Sequence, residues 1–100
     1  MKRGKAHLQW RDSVLKHDRK CVICHKEGKG LNAHHLIPKN FKKYALDIDN
    51  GIILCAGCHT LARKSAHKHP IWFYQWMRLN RPEQLERTLA RMRILKEYGL

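Results

Sequence analysis

Two short cysteine pairs, CVIC at Cys21 and Cys24 and CAGC at Cys55 and Cys58, constrain the fold of this chain more than any other feature. Each pair can present two thiolates from one tight knuckle, and two knuckles complete a tetrahedron around one Zn²⁺. The chain has 100 residues, enough for a single domain with a thin core, and chains of that size often need a metal or disulfides for stability. The N-terminal MKRGKAHLQW is basic but leads into no apolar stretch. A secretory signal is therefore not expected, and the cytoplasm is the expected compartment, where paired cysteines mean metal before disulfide.

Residues 25–54 separate the two pairs, which exceeds the usual zinc-ribbon spacing, so something is inserted there. Within the insert, LNAHHLIPK sets His34 and His35 side by side in an apolar run that ends at Pro38. A short hydrophobic strand has little structural reason to hold adjacent imidazoles. Leu31 to Ile37 reads as a strand, preceded by a KEGKG turn. Residues 39–47, KNFKKYALD, read as a basic loop with two aromatics. The isoleucine-rich NGIILC, residues 50–55, reads as a second strand. A helix is expected to start within the second knuckle and to run through HTLARKSAHKH as far as Pro70.

Flanking helices complete the expected domain. Residues 6–17 place Ala6, Trp10, Val14 and His17 on one side of a helix. Pro70 opens another, with Trp72, Phe73, Trp76 and Leu79 expected to pack inward. A last helix begins at Pro82, capped by Asn80 or Arg81, and Gly99 ends it. Its stripe of Leu85, Leu89, Met92 and Leu95 reads as core or as a homodimer seam. The whole of 1–100 is read as one domain, with a core at about 20–69, an N-terminal helix at 6–17 and C-terminal helices at 70–98.

Charge points to the partner. Twenty-one Lys and Arg face eight Asp and Glu, a net +13, which implies a polyanion, with nucleic acid as the default. Apolar residues make up 43% of the chain, and no run approaches the ~20 needed to span a bilayer. Disordered and membrane-spanning classes are excluded on that ground.

The order strand, loop, strand, helix, carrying AHHLIP, DNGIILC and CAGCHT, resembles the HNH endonuclease family. With the upstream CVIC the resemblance covers residues 10 to about 79, and SAHKHPIWFYQW further resembles small HNH proteins often encoded by phages. It implies an α+β fold of the ββα-metal type, a structural zinc on Cys21, Cys24, Cys55 and Cys58, and metal-dependent hydrolysis of DNA phosphodiesters by nicking or double-strand cleavage. Carried over residue by residue, it makes His35 the general base that activates water. His34 and His59 become ligands of the catalytic metal. Asn50 pins the loop between the strands so that His35 meets the phosphate. Phage packaging machinery becomes a candidate partner, and host cytoplasm the setting if the chain is phage-encoded.

The chemistry asks for the same residue types. Phosphodiester hydrolysis needs an in-line nucleophile, charge neutralisation on phosphorus and help for the departing oxygen, and a divalent cation supplies the last two. Imidazole, with an ordinary pKa near ~6.5, can take a proton from water at neutral pH. His34 stands where many relatives carry a carboxylate, and imidazoles suit Mn²⁺ or Ni²⁺ better than Mg²⁺. Because neighbours on a strand point to opposite faces, the strand is expected to distort near Pro38 if both histidines are to reach one centre. Arg63, Lys64, Lys39, Lys42 and Lys43 are expected phosphate contacts.

Blander readings stand beside these. His59 could join the zinc, and Asn50 is also good turn chemistry. His7, His17, His25 and His69 read as surface or packing residues. His67 could contact DNA, add a ligand or simply be exposed, but on an unbroken helix it lies ~12 Å from His59, too far to share a metal. Rival functions are a non-catalytic zinc-finger module that binds nucleic acid, and an RNase.

Overall fold

A computed structural model describes residues 4–97. Its elements in chain order are helix α1 (Lys5–Asp18), strand β1 (Leu31–His35), a 3₁₀ turn (Ile48–Asn50), strand β2 (Gly51–Cys55), a π-helical turn (Gly57–Leu61), helix α2 (Pro70–Asn80) and helix α3 (Pro82–Glu97). The expected end of the last helix at Gly99 lies outside the described residues. No helix among those described is long and apolar enough to cross a membrane.

The two strands pair antiparallel, from Leu31 opposite Cys55 to His35 opposite Gly51. All five residues of β2 are buried, as an unbroken apolar run predicts for a strand covered on both faces. One face packs Ile52 and Leu54 against Cys21, Phe73, Met77 and Leu85. The other packs Ile53 against Trp10 and Val14 of α1. The outer edge of β2 is capped rather than open. Asp18 Oδ2 accepts from the Ile53 N–H at 2.9 Å, and the Val22 N–H donates to the Ile53 carbonyl at 3.0 Å.

Asp18 does more than cap that edge. Its side chain is 2% exposed and also accepts from Arg81 Nη2 at 3.0 Å, joining α1, β2 and the start of α3. Asp18→Ala strands a backbone donor and a half-buried guanidinium. It is expected to cost about 2–4 kcal/mol, read as a lower urea midpoint at an unchanged m-value.

Two sequence expectations are corrected here. Leu79 does not pack inward. It is 83% exposed, and Met77 at 1% takes the core position instead. Leu79 is six residues past Phe73, roughly 600° around the helix, which leaves it on another face. On α3, Leu85 and Leu95 are buried, while Leu89 and Met92 stay at the surface.

The helix expected through residues 59–69 is also absent. The chain makes one π turn, with the Ala62 N–H on the Gly57 carbonyl, and then doubles back. Ala66 N–H reaches the Cys58 carbonyl at 2.8 Å, and His67 N–H reaches that of His59 at 3.1 Å. Two side chains drive this return: Ser65 and Ala66 are buried, Ala66 in the main core, and the Ser65 hydroxyl accepts from the Lys68 N–H. His69, read from sequence as surface or packing, is the N-cap of α2, its Nδ1 accepting from the Trp72 N–H at 3.2 Å.

Candidate active site and metal centres

The Sγ atoms of Cys21, Cys24, Cys55 and Cys58 lie within 4.8 Å of one another. Four thiolates at ~2.3 Å from one zinc ion sit roughly 3.8 Å apart, so the cluster fits that ion. The first knuckle closes through Cys21 N–H to the Lys26 carbonyl and His25 N–H to the Cys21 carbonyl, with His25 at φ 67°. Cys21 and Cys55 are buried and Cys24 is exposed. Burial alone would raise the Cys21 thiol, but backbone hydrogen bonds from Cys24, Cys55 and Ile23 outweigh it and bring it down to about 7. A sulfur that gathers N–H donors is one poised to be a thiolate.

His59 follows the last cysteine directly, so the second knuckle places it. Its ring does not join the cysteines. It sits 5.1 Å from that of His34 on β1 and 4.6 Å from that of His67, centroid to centroid. The chain reversal after the π turn brings His67 Nε2 within 3.1 Å of His59 Nε2. That overturns the ~12 Å separation expected on an unbroken helix. One donor nitrogen from each of His34, His59 and His67 falls within 4.8 Å of the others. Two nitrogens that each lie ~2.0–2.1 Å from one cation are roughly 3 Å apart, so the three imidazoles fit a second metal ion.

The electrostatics suit ligands. Burial first, then the neighbouring His59, His67 and His35, push the His34 pKa down to about 3. His59 is lowered by burial and by His67. Both rings therefore keep a lone pair free at neutral pH.

His34 and His35 point to opposite faces of β1, and pairing stays regular through His35. The expected strand distortion is not what joins them. Both line one cleft of about 670 Å³ that follows β1, with His7 and Arg11 of α1 on one flank and His59, His67 and Phe73 on the other. His35 stacks on the Trp10 indole at 3.9 Å, and its Nε2–H donates to the Ala45 carbonyl at 3.1 Å. The carbonyl leaves Nδ1 as the nitrogen with the free lone pair.

Asn50 is 1% exposed. Its Oδ1 accepts from the Ile37 N–H at 2.7 Å and its Nδ2 donates to the Ile37 carbonyl at 3.0 Å. Both backbone groups of the residue before Pro38 are thus tied to the entry of β2. Lys39 lines the cleft. Lys42 and Lys43 are exposed on the loop between the strands, and Arg63 and Lys64 on the return to His67. Sequence reasoning missed the cleft positions of His7 and Arg11 and the contact of Trp10 with His35; helical spacing placed Trp10 only on one side of α1.

Residues 21–65 match the family model for HNH endonuclease. A curated protein of Nostoc sp. strain PCC 7120, Anaredoxin, is similar: 38% identical over 48 residues, covering 48% of this chain and 62% of that protein. The chain therefore spans less than two thirds of that relative's length. No solved structure matches the chain.

Proposed function

We propose that this chain, whose residues 21–65 match the family model for HNH endonuclease, is a metal-dependent DNA endonuclease. The observation that carries the reading is the pair of stations along one cleft: three imidazoles gathered for a cation, and His35 held apart from them by Trp10 and Ala45. HNH domains imply nuclease-type chemistry and a nucleic-acid partner, and a net charge of +13 suits DNA.

His34, His59 and His67 are the residues that would hold the catalytic metal. When bound there, a divalent cation supplies Lewis-acid neutralisation of the phosphate charge. His35 takes the proton from the attacking water through Nδ1. Asn50 fixes the segment after His35 by its two bonds to Ile37. Arg63, Lys64, Lys39, Lys42 and Lys43 contact DNA phosphates, and the four cysteines hold a structural zinc. His67, which the sequence leaves open between a DNA contact, a further ligand and an exposed residue, is here assigned to the metal.

Supercoiled plasmid and an RNA substrate, each incubated with zinc-loaded protein and Mn²⁺, Ni²⁺ or Mg²⁺, test the reading. Nicking of DNA is expected, with Mn²⁺ or Ni²⁺ at least as effective as Mg²⁺, because imidazole favours the later metals. His67→Ala is expected to raise the metal concentration for half-maximal nicking at least roughly tenfold, the loss typical even of an outer-sphere partner. Activity with Mg²⁺ alone would argue against a three-imidazole centre. Cleavage of RNA only would make the protein an RNase, and binding without any cleavage a zinc-finger module.

A further inference from the structure

Helix α1 lies outside the segment that matches the HNH family model, yet one of its residues touches the candidate base. Trp10 is 3% exposed, and its indole lies against the His35 imidazole at 3.9 Å between centroids and 14° between planes. The same indole donates its Nε1–H to the Asp47 carbonyl at 2.7 Å. Asp47 closes the loop whose Ala45 carbonyl holds His35 Nε2. A single side chain therefore fixes the flat face of the ring and tethers the loop that fixes its edge.

The slot for the indole is cut in the sheet itself. Gly51 pairs with His35 across the ladder. A β-carbon at residue 51 would come within 2.7 Å of Trp10 Cζ2 and of Val14 Cγ2. Only glycine lets α1 approach this closely, so Gly51, at the start of β2, serves as a notch for Trp10.

Volume alone does not explain the arrangement. A core filler needs apolar neighbours, and Trp10 has them in Val14 and Ile53. It spends its remaining face on a polar ring in the cleft and its one donor on the loop. Imidazole turns about χ2 in a broad, shallow well. A general base contributes only while its lone pair stays within hydrogen-bond reach of the proton it removes. Displacement by ~1 Å can cost about 100-fold.

We propose that Trp10 is a positioning residue for His35: it holds the ring orientation and, through the loop, the tautomer with the proton on Nε2. This rests on the reading of His35 as the base. Trp10 acts through His35 and touches neither substrate nor metal.

The test uses the full zinc-loaded chain and four proteins: wild type, Trp10→Leu, His35→Ala and the double variant. Trp10→Leu is expected to lower kcat for Mn²⁺-supported nicking by roughly 10–100-fold with KM within about twofold. Added to His35→Ala, it is expected to lower kcat no further, because both changes remove one function. Losses that multiply would overturn the proposal and mark Trp10 as merely structural. Trp10→Phe keeps a planar ring against His35 and is expected to recover most of the loss.

A second readout does not depend on cleavage. Nitrogen-detected NMR of the His35 ring should show a single Nε2–H tautomer in wild type and averaged tautomers in Trp10→Leu. An unchanged tautomer would overturn the proposal even if the protein cut no DNA, an outcome that would separately sink the nuclease reading. If Trp10→Leu fails to retain stoichiometric zinc, Trp10→Phe replaces it in both measurements. Lacking only the Asp47 bond, it should then show about a threefold loss in kcat that vanishes in the His35→Ala background.

Discussion

Replacing His35 by alanine is expected to lower the plasmid-nicking rate by roughly 10²–10⁴-fold, the contribution of a well-placed general base. DNA affinity and the content of both metals should be unchanged, because the ring lies on the opposite face of β1 from the His34 cluster. His34→Ala should behave differently, losing activity that excess metal partly restores. The pH profile separates the roles further. Burial holds the His35 pKa below its ordinary value, His7 and Lys39 push the same way, and the Ala45 carbonyl opposes them. A cation at the His34 cluster would add to the lowering. A lowered pKa leaves the base neutral at lower pH, so the acid limb of kcat should fall below about pH 6.5 and the rate should be level from there to neutrality. A limb centred above neutrality would remove His35 from the base role. Equal nicking by wild type and His35→Ala would do so more directly.

Much of this arrangement was legible because the relevant residues declare themselves in short runs. CVIC and CAGC fix four thiols by local spacing alone. GIILC reads as a strand, and it is one, buried along its whole length. Pro70 and Pro82 announce the starts of α2 and α3. The segment after His59 was not legible. HTLARKSAHKH has nothing that forbids a helix, and local propensity is a weak prior against tertiary contacts. Its course is decided by the burial of Ser65 and Ala66, side chains too small to leave a periodic signal. That local break places His67 beside His59 and changes the candidate metal centre from two imidazoles to three. The Trp10–His35 stack was hidden for another reason. It joins residues far apart in the chain through a notch at Gly51, and Asn-Gly at the start of a strand reads first as turn chemistry.

Stripping the metal that the four cysteines would hold, zinc in the reading proposed above, should be the most damaging change of all. Structural zinc sites contribute apparent binding energies of about 10–16 kcal/mol, as much as or more than the ~5–15 kcal/mol by which whole domains are stable. Here the four sulfurs are part of the core and not an appendage to it. Cys21 and Cys55 pack in one cluster with Ile52, Leu54, Phe73 and Met77, and the first knuckle lies along the edge of β2 through Val22 and Ile53. Without the ion, thiols gathered at distances such as the 3.5 Å between Cys24 and Cys55 gain little from being close, and neither knuckle has another tie of comparable strength. Chelation is therefore expected to abolish the cooperative thermal transition and most of the helical circular dichroism. Cys55→Ser, at a buried ligand, should approach that result, while Cys24→Ser, at an exposed one, should be milder because water can take the vacated position. Nicking should fail with the fold even when Mn²⁺ is supplied, since His59 is placed by the knuckle that ends at Cys58. A chelated protein that still melts cooperatively would show that the sheet and helices stand without the ion.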